Sequence, residues 1–239
     1  MLLMSKFLSE LSEFIKTKPY NVIRVSEICG DSEPETVEFR EGAYCQNTYS
    51  IAKTFTMAAI GLLYDKGLVK PQDRICRFLG DEMPEETDKR WLDSTVEMAL
   101  THSLGLPGGF LDIDAQDPLK FTDDYLSYLF TYPLEYEPGT QSRYSDGAYY
   151  LLARIAEKLS GLPLEDFLRK EMLNGMQFRE VAWSHCPQGH AMGATGLYIN
   201  SSDCVKLGHQ LLICHCFSFI FCFQFIHLLI NLLVLLYNF

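Results

Sequence analysis

The chain has 239 residues, is 48% hydrophobic, and carries a formal net charge of −11 with an isoelectric point near 5.0. That length can bury a substantial core as one large domain or two subdomains. The acidic balance, with no basic cluster interleaved with aromatics, excludes nucleic acid as a partner.

Residues 1–18 place Leu3, Phe7, Leu8, Leu11, Phe14 and Ile15 at helical spacing, broken by Lys6, Glu10 and Glu13. This predicts an amphipathic helix and lacks the unbroken apolar core of a secretory signal. Eight cysteines without an export signal predict reduced thiols in a cytoplasmic domain. Segments 21–25 and 36–40 read as strands around a turn-rich stretch, hence an antiparallel hairpin. The run 50–67 repeats Ile51, Phe55, Ala58, Ala59, Leu62 and Leu63 at helical spacing, an apolar stripe about 100° wide. Asn47 and Thr48 offer capping side chains ahead of it, and Gly67 stops it. Pro71, Gln72 and Asp73 predict a turn, 81–89 a solvated loop, and 91–100 a short helix running into a Gly- and Pro-rich turn over 101–109.

Asp112, Asp114, Asp117, Asp123 and Asp124 lack the glycine and closing glutamate of an EF-hand, so they read as loop and cap residues. A helix is predicted over 121–130. The loop 137–147 leads into a second, whose apolar face is Ala148, Leu151, Leu152, Ile155, Ala156 and Leu159, stopped by Gly161. Another short helix follows over 163–173. His185, Cys186 and His190 come nearest to a zinc pattern but lack a second close Cys pair, so no metal or other cofactor is expected. Residues 196–200 predict a strand or turn, and Ser202 and Asp203 a capped helix through 212. The run 211–239 has no charged residue and exceeds the roughly 20 residues needed to cross a bilayer. A membrane contact through 211–239, anchoring the domain, and an aberrant gene end are both open readings of that composition.

Ser50 and Lys53 stand three residues apart, on one face of a first helical turn. A serine hydroxyl needs a base to become a nucleophile, and a buried lysine can serve as one. A helix N-terminus adds backbone N–H groups suited to developing negative charge.

Three stretches occur in order: Ser50-x-x-Lys53; Ala99-Leu100-Thr101-His102-Ser103-Leu104-Gly105-Leu106-Pro107; and Tyr144-Ser145-Asp146 at a helix start, with Pro138-Gly139 upstream. Together they resemble the serine β-lactamase-like family, which includes class C β-lactamases, low-molecular-weight penicillin-binding proteins and related esterases. The resemblance covers about 20–212, including the segment from Gly196 to Gly208. It implies an α+β, β-lactamase/transpeptidase-like fold, an antiparallel sheet flanked by helices plus an all-helical region. It also implies an acyl-serine hydrolase acting on a small-molecule or peptide amide, lactam or ester. Ser50 would be the nucleophile and Lys53 and Tyr144 would share general-base work. Asp146 would stand at a substrate-binding position where the family usually has a neutral amide, and His102 would be a structural turn residue. The family's third motif, Lys-Thr-Gly or His-x-Gly on a core strand, has no counterpart after Leu212. The His-x-x-Gly from His190 to Gly193 precedes the Gly196 segment and is not assigned to it. The expected organisation is a hydrolase domain over 1–212, with a sheet-forming part (1–49), a mainly helical region (50–187) and a return to the sheet (188–212), followed by the apolar tail 213–239. Impaired catalysis follows from the missing motif, with a non-catalytic ligand-binding or membrane-tethered protein of the same fold as the alternative.

Overall fold

The computed structural model describes residues 5–118 and 121–213. Helix α1 (Lys6–Lys16) opens the chain, followed by β1 (Arg24–Glu27) and β2 (Glu35–Glu38), which pair antiparallel with Val25 opposite Val37. A second antiparallel sheet has the order β3-β5-β4, formed by β3 (Gln46–Asn47), β4 (Val181–Trp183) and β5 (Leu197–Ile199). Between β3 and β4 run α2 (Ala52–Asp65), α3 (Cys76–Leu79), α4 (Val96–Leu100), α5 (Tyr125–Thr131), α6 (Asp146–Ser160) and α7 (Leu164–Leu168). Helix α8 (Ser201–Ile213) follows β5 and lies against β1 and β2. This is the expected arrangement of antiparallel sheet, flanking helices and helical region.

Helices α2 and α6 are the centre of the molecule and pack against each other. The predicted one-sided stripe on α2 is corrected, because the helix is buried nearly all round. Ile51 lies outside the core at 44% exposure, while Thr56, Met57 and Ile60, off the predicted stripe, are buried. A helix enclosed on every side has no polar face to keep, so periodicity underreports its burial. On α6 the predicted face is buried apart from the half-buried Leu159, and Gly161, at φ 69°, ends the helix in the left-handed conformation. Trp91 is fully buried with its ring edge-on to Phe130 at 5.2 Å, a favoured aromatic geometry.

Several local expectations shift. Helix α1 buries Leu8, Ser12 and Ile15 and leaves Phe7 and Phe14 exposed. The predicted helix over 91–100 is two pieces, a 3-10 turn (Lys89–Asp93) and α4. Thr95 bridges Arg74 in extended geometry, and Thr95 Oγ1 then accepts from Met98 N to cap α4. Helix α5 starts at Tyr125 because Asp124 caps it through Leu126 N and Ser127 N. At α8 the Ser202 amide is capped by Asn200 Oδ1, whereas Asp203 accepts from Arg179 N and pairs with Lys206. The five cysteines among the described residues are free thiols. No helix of the described residues is long and apolar enough to cross a membrane; the apolar run beyond residue 213 lies outside them.

Candidate active site

The approach to Ser50 is set from both ends. Thr48 donates from N and from Oγ1 to the Leu197 carbonyl of β5, at 2.8 Å each. Asn47 Oδ1 accepts from Tyr49 N at 2.9 Å. Thr48 therefore ties the strand down and does not cap the helix, correcting that expectation, while Asn47 does accept from the turn. Tyr49 then takes φ 47°, a conformation uncommon for a large side chain. It leads into a 3-10 turn (Tyr49–Ile51) that continues as α2. Ser50 thus sits at the first turn, where N–H groups lack intrahelical partners.

Lys53, one turn on, is 2% exposed. Its Nζ donates to Ser50 Oγ at 3.2 Å, Asp146 Oδ1 at 2.7 Å and the Ala194 carbonyl at 3.0 Å. Tyr144 arrives from the loop before α6, and its hydroxyl donates to Ser50 Oγ at 2.6 Å. Lys53 Nζ also lies 4.6 Å from the centroid of the Tyr144 ring. The four sequence-selected residues, Ser50, Lys53, Tyr144 and Asp146, are in one place.

His102 explains how Tyr144 is held. At φ 56° it forms the turn after α4, its Nδ1 accepts from Ser145 N at 3.2 Å, and its ring packs at a tilt of 35° against Tyr144 at 4.6 Å and Tyr149 at 5.0 Å. It is a turn residue, as expected, and also a shelf for the phenol. Burial, and secondarily the Lys53 charge, lower its pKa from 6.5 to about 3. The first N–H groups of α6 are further satisfied by the Phe110 carbonyl, which accepts from Asp146 N and Gly147 N. Asp146 therefore directs its carboxylate at Lys53. Burial pushes its carboxyl above the usual range, Lys53 draws it back, and Asp112 and Asp114 push it up again.

Those two aspartates are loop residues, as read from sequence, and the loop also carries them up to Asp146. Asp112 Oδ1 does close the local turn by accepting from Asp114 N and Ala115 N. One carboxylate oxygen each of Asp112, Asp114 and Asp146 also lie within 4.8 Å of one another, and Asp114 accepts from Thr195 Oγ1. The turn at Leu111, φ 62°, brings this acidic loop to the lysine, and no side-chain pattern in the sequence announces that. The Ala194 carbonyl was equally hidden. Gly193, at φ 67°, lies so close to α6 that a Cβ there would stand 2.6 Å from the Tyr149 carbonyl oxygen, and its own carbonyl accepts from Thr56 Oγ1. His190 and Cys186 lie elsewhere: His190 Nδ1 pairs with Glu157 at 2.7 Å and the Tyr150 hydroxyl contacts Cys186 Sγ.

The β-lactamase family model matches residues 46–206, a span that holds every residue of this site. The chain belongs to the β-lactamase family. Among its relatives, an N-acetylmuramyl-L-alanine amidase of Bacillus subtilis is 32% identical over 149 residues, covering 60% of this chain and 33% of that protein. A β-lactamase of Escherichia coli is 27% identical over 138 residues, covering 58% and 34%. The chain spans about a third of the length of these curated relatives. A penicillin-binding protein from Bacillus halodurans superposes with a TM-score of 0.64 at 17% identity, over 83% of this chain and 72% of that one, a likeness of fold.

Proposed function

We propose that the chain is an acyl-serine hydrolase acting on an amide, lactam or ester through a Ser50 acyl-enzyme. The observation that carries this is the meeting of three groups from two separate elements: Ser50 Oγ stands 2.6 Å from the Tyr144 hydroxyl and 3.2 Å from Lys53 Nζ. Both distances allow direct proton transfer or electrostatic support. Ser50 Oγ attacks the acyl carbonyl as its proton passes to the Lys53–Tyr144 pair. The tetrahedral intermediate collapses, the carbonyl's bond to nitrogen or oxygen breaks, and the leaving group takes that proton. Water, deprotonated by the same pair, then releases the acid and restores Ser50. The Ser50 N–H at the helix start is one donor to the developing oxyanion. The names of the amidase and β-lactamase relatives support this class of chemistry.

The test is intact-mass detection of a covalent adduct with a β-lactam or a nitrophenyl ester, followed by peptide mapping. An adduct on Ser50, lost in Ser50→Ala, is the expected outcome. Lys53→Ala and Tyr144→Phe should each slow labelling more than tenfold, since a positioned base contributes about 10²–10⁴-fold. An adduct on another serine, or none on the folded chain, sinks the reading.

A further inference from the structure

An ammonium group has three protons to donate, and Lys53 Nζ has three acceptors at 2.7, 3.0 and 3.2 Å: Asp146 Oδ1, the Ala194 carbonyl and Ser50 Oγ. One of these acceptors belongs to a carboxyl group, which at 2.7 Å makes an ion pair with the ammonium. The side chains of Lys53 and Asp146 are 2% and 6% exposed, so water screens their attraction poorly. An amide at residue 146 would still offer Lys53 an oxygen of the same reach, but without the charge. Asp112 and Asp114, from the loop after Leu111, add charge of the same sign beside Asp146. On the other side His102 is packed against Tyr144 and stays neutral to about pH 3, so it brings no compensating cation at working pH.

For Ser50 to be attacked at its proton, the Lys53–Tyr144 pair must first have given up a proton. Negative charge 2.7 Å from Nζ opposes that loss whichever member of the pair it comes from: from Lys53 it removes a cation beside the anion, and from Tyr144 it creates a second anion near it. We propose that Asp146 is a positioning residue whose charge holds the Lys53–Tyr144 pair in its protonated form, so that acylation in this chain switches on only toward alkaline pH. The inference rests on the hydrolase reading for its effect on rate, but its electrostatic content can be measured without any substrate.

The experiment uses the full 239-residue chain and its Asp146→Asn variant. Single-turnover labelling of Ser50 by a nitrophenyl ester is followed from pH 5 to 10. An opposite charge this close displaces a proton equilibrium by roughly 1–3 pH units. The alkaline limb of Asp146→Asn is therefore expected 1–3 units lower than that of the wild type. Below the limb the rate, relative to its own plateau, should be about tenfold higher for each unit of displacement. Superimposed limbs, or one displaced upward, overturn the proposal; a purely structural role for Asp146 would alter the amplitude and leave the midpoint in place. Proton–nitrogen correlation NMR of the Lys53 side chain supplies the second measurement. The wild type should show a protected ammonium resonance up to pH 9, and the variant should lose it at lower pH. A neutral amine in the wild type at pH 7–9 overturns the proposal even where the variant fails to fold. If no probe labels Ser50 while the resonances behave as expected, the hydrolase reading fails and the role of Asp146 stands.

Discussion

His102 couples the site to stability as well as to geometry. Its ring stays neutral in the fold down to about pH 3, chiefly because it is buried, whereas in the unfolded chain it takes a proton near pH 6.5. A group whose folded value is depressed contributes fully above the unfolded value and loses that contribution as pH falls toward the folded one. At about 1.4 kcal/mol per unit, the loss by pH 5 is on the order of 2 kcal/mol. His102→Asn removes the titration while keeping an acceptor for Ser145 N and a residue that tolerates φ 56°. The expected outcome is a melting temperature that falls less steeply between pH 6.5 and 5 in the variant than in the wild type. Equal slopes would show that His102 takes up its proton in the native state over the same pH range as in the unfolded chain. Asp146 acts in the opposite sense, since its raised carboxyl favours the fold at acid pH, and it is common to both proteins. Charge was countable in the sequence at all of these positions; burial was not, and burial is what moves both groups.

At the scale of elements, the site depends on how closely the segment before β5 approaches α6. Gly193 places the Ala194 carbonyl on Lys53 and its own carbonyl on Thr56. A Cβ at residue 193 would meet the Tyr149 carbonyl oxygen at 2.6 Å and Ala153 Cβ at 2.7 Å, and neither is the free end of a flexible chain. Gly193→Ala should therefore destabilise by about 1–3 kcal/mol, with added strain from the positive φ. It should also slow Ser50 labelling by pushing Ala194 off Nζ. Thermal unfolding and labelling rate check both effects, and an unchanged labelling rate in a destabilised variant would remove Ala194 from the positioning of Lys53. These elements differ in how far sequence alone locates them. Helix α6 is legible because its apolar residues recur at helical spacing, its tyrosine motif opens it and Gly161 closes it, even though residues 146–156 are buried all round. The pairing of Ser50 with Lys53 is legible because two residues three apart share one helical turn. Tyr144 reaches Ser50 from 94 residues away, and only the resemblance brought them together. The splitting of the 91–100 helix and the convergence of Asp112 and Asp114 depend on backbone paths, at Thr95 and Leu111, that side-chain periodicity does not encode.

On the scale of the whole molecule, the proposed nucleophile and its proposed base are assembled between β3, α2 and the start of α6, all within residues 46–206 matched by the family. The relatives extend well beyond the length this chain covers. In the family it resembles, a core strand bearing the third motif provides a second oxyanion donor and a group for the substrate, and this sequence holds no such motif after Leu212. Acylation and turnover should separate accordingly. On the proposed mechanism attack needs only Ser50, Lys53 and Tyr144, so stoichiometric labelling is expected of the 239-residue chain. Each complete cycle passes through two tetrahedral intermediates whose charge a single backbone donor stabilises less well than two. One missing donor costs about 10²–10³ in rate. Joining the C-terminal region of a β-lactamase family member after Leu212 is therefore expected to raise kcat/KM for a chromogenic lactam or nitrophenyl ester by that factor. The number of labelled serines per chain should stay at one. If the unmodified chain already matched the joined protein in kcat/KM, a second donor would have to come from residues within it, and the turn from Gly193 to Gly196, which already presents the Ala194 carbonyl to Lys53, would be the first place to substitute.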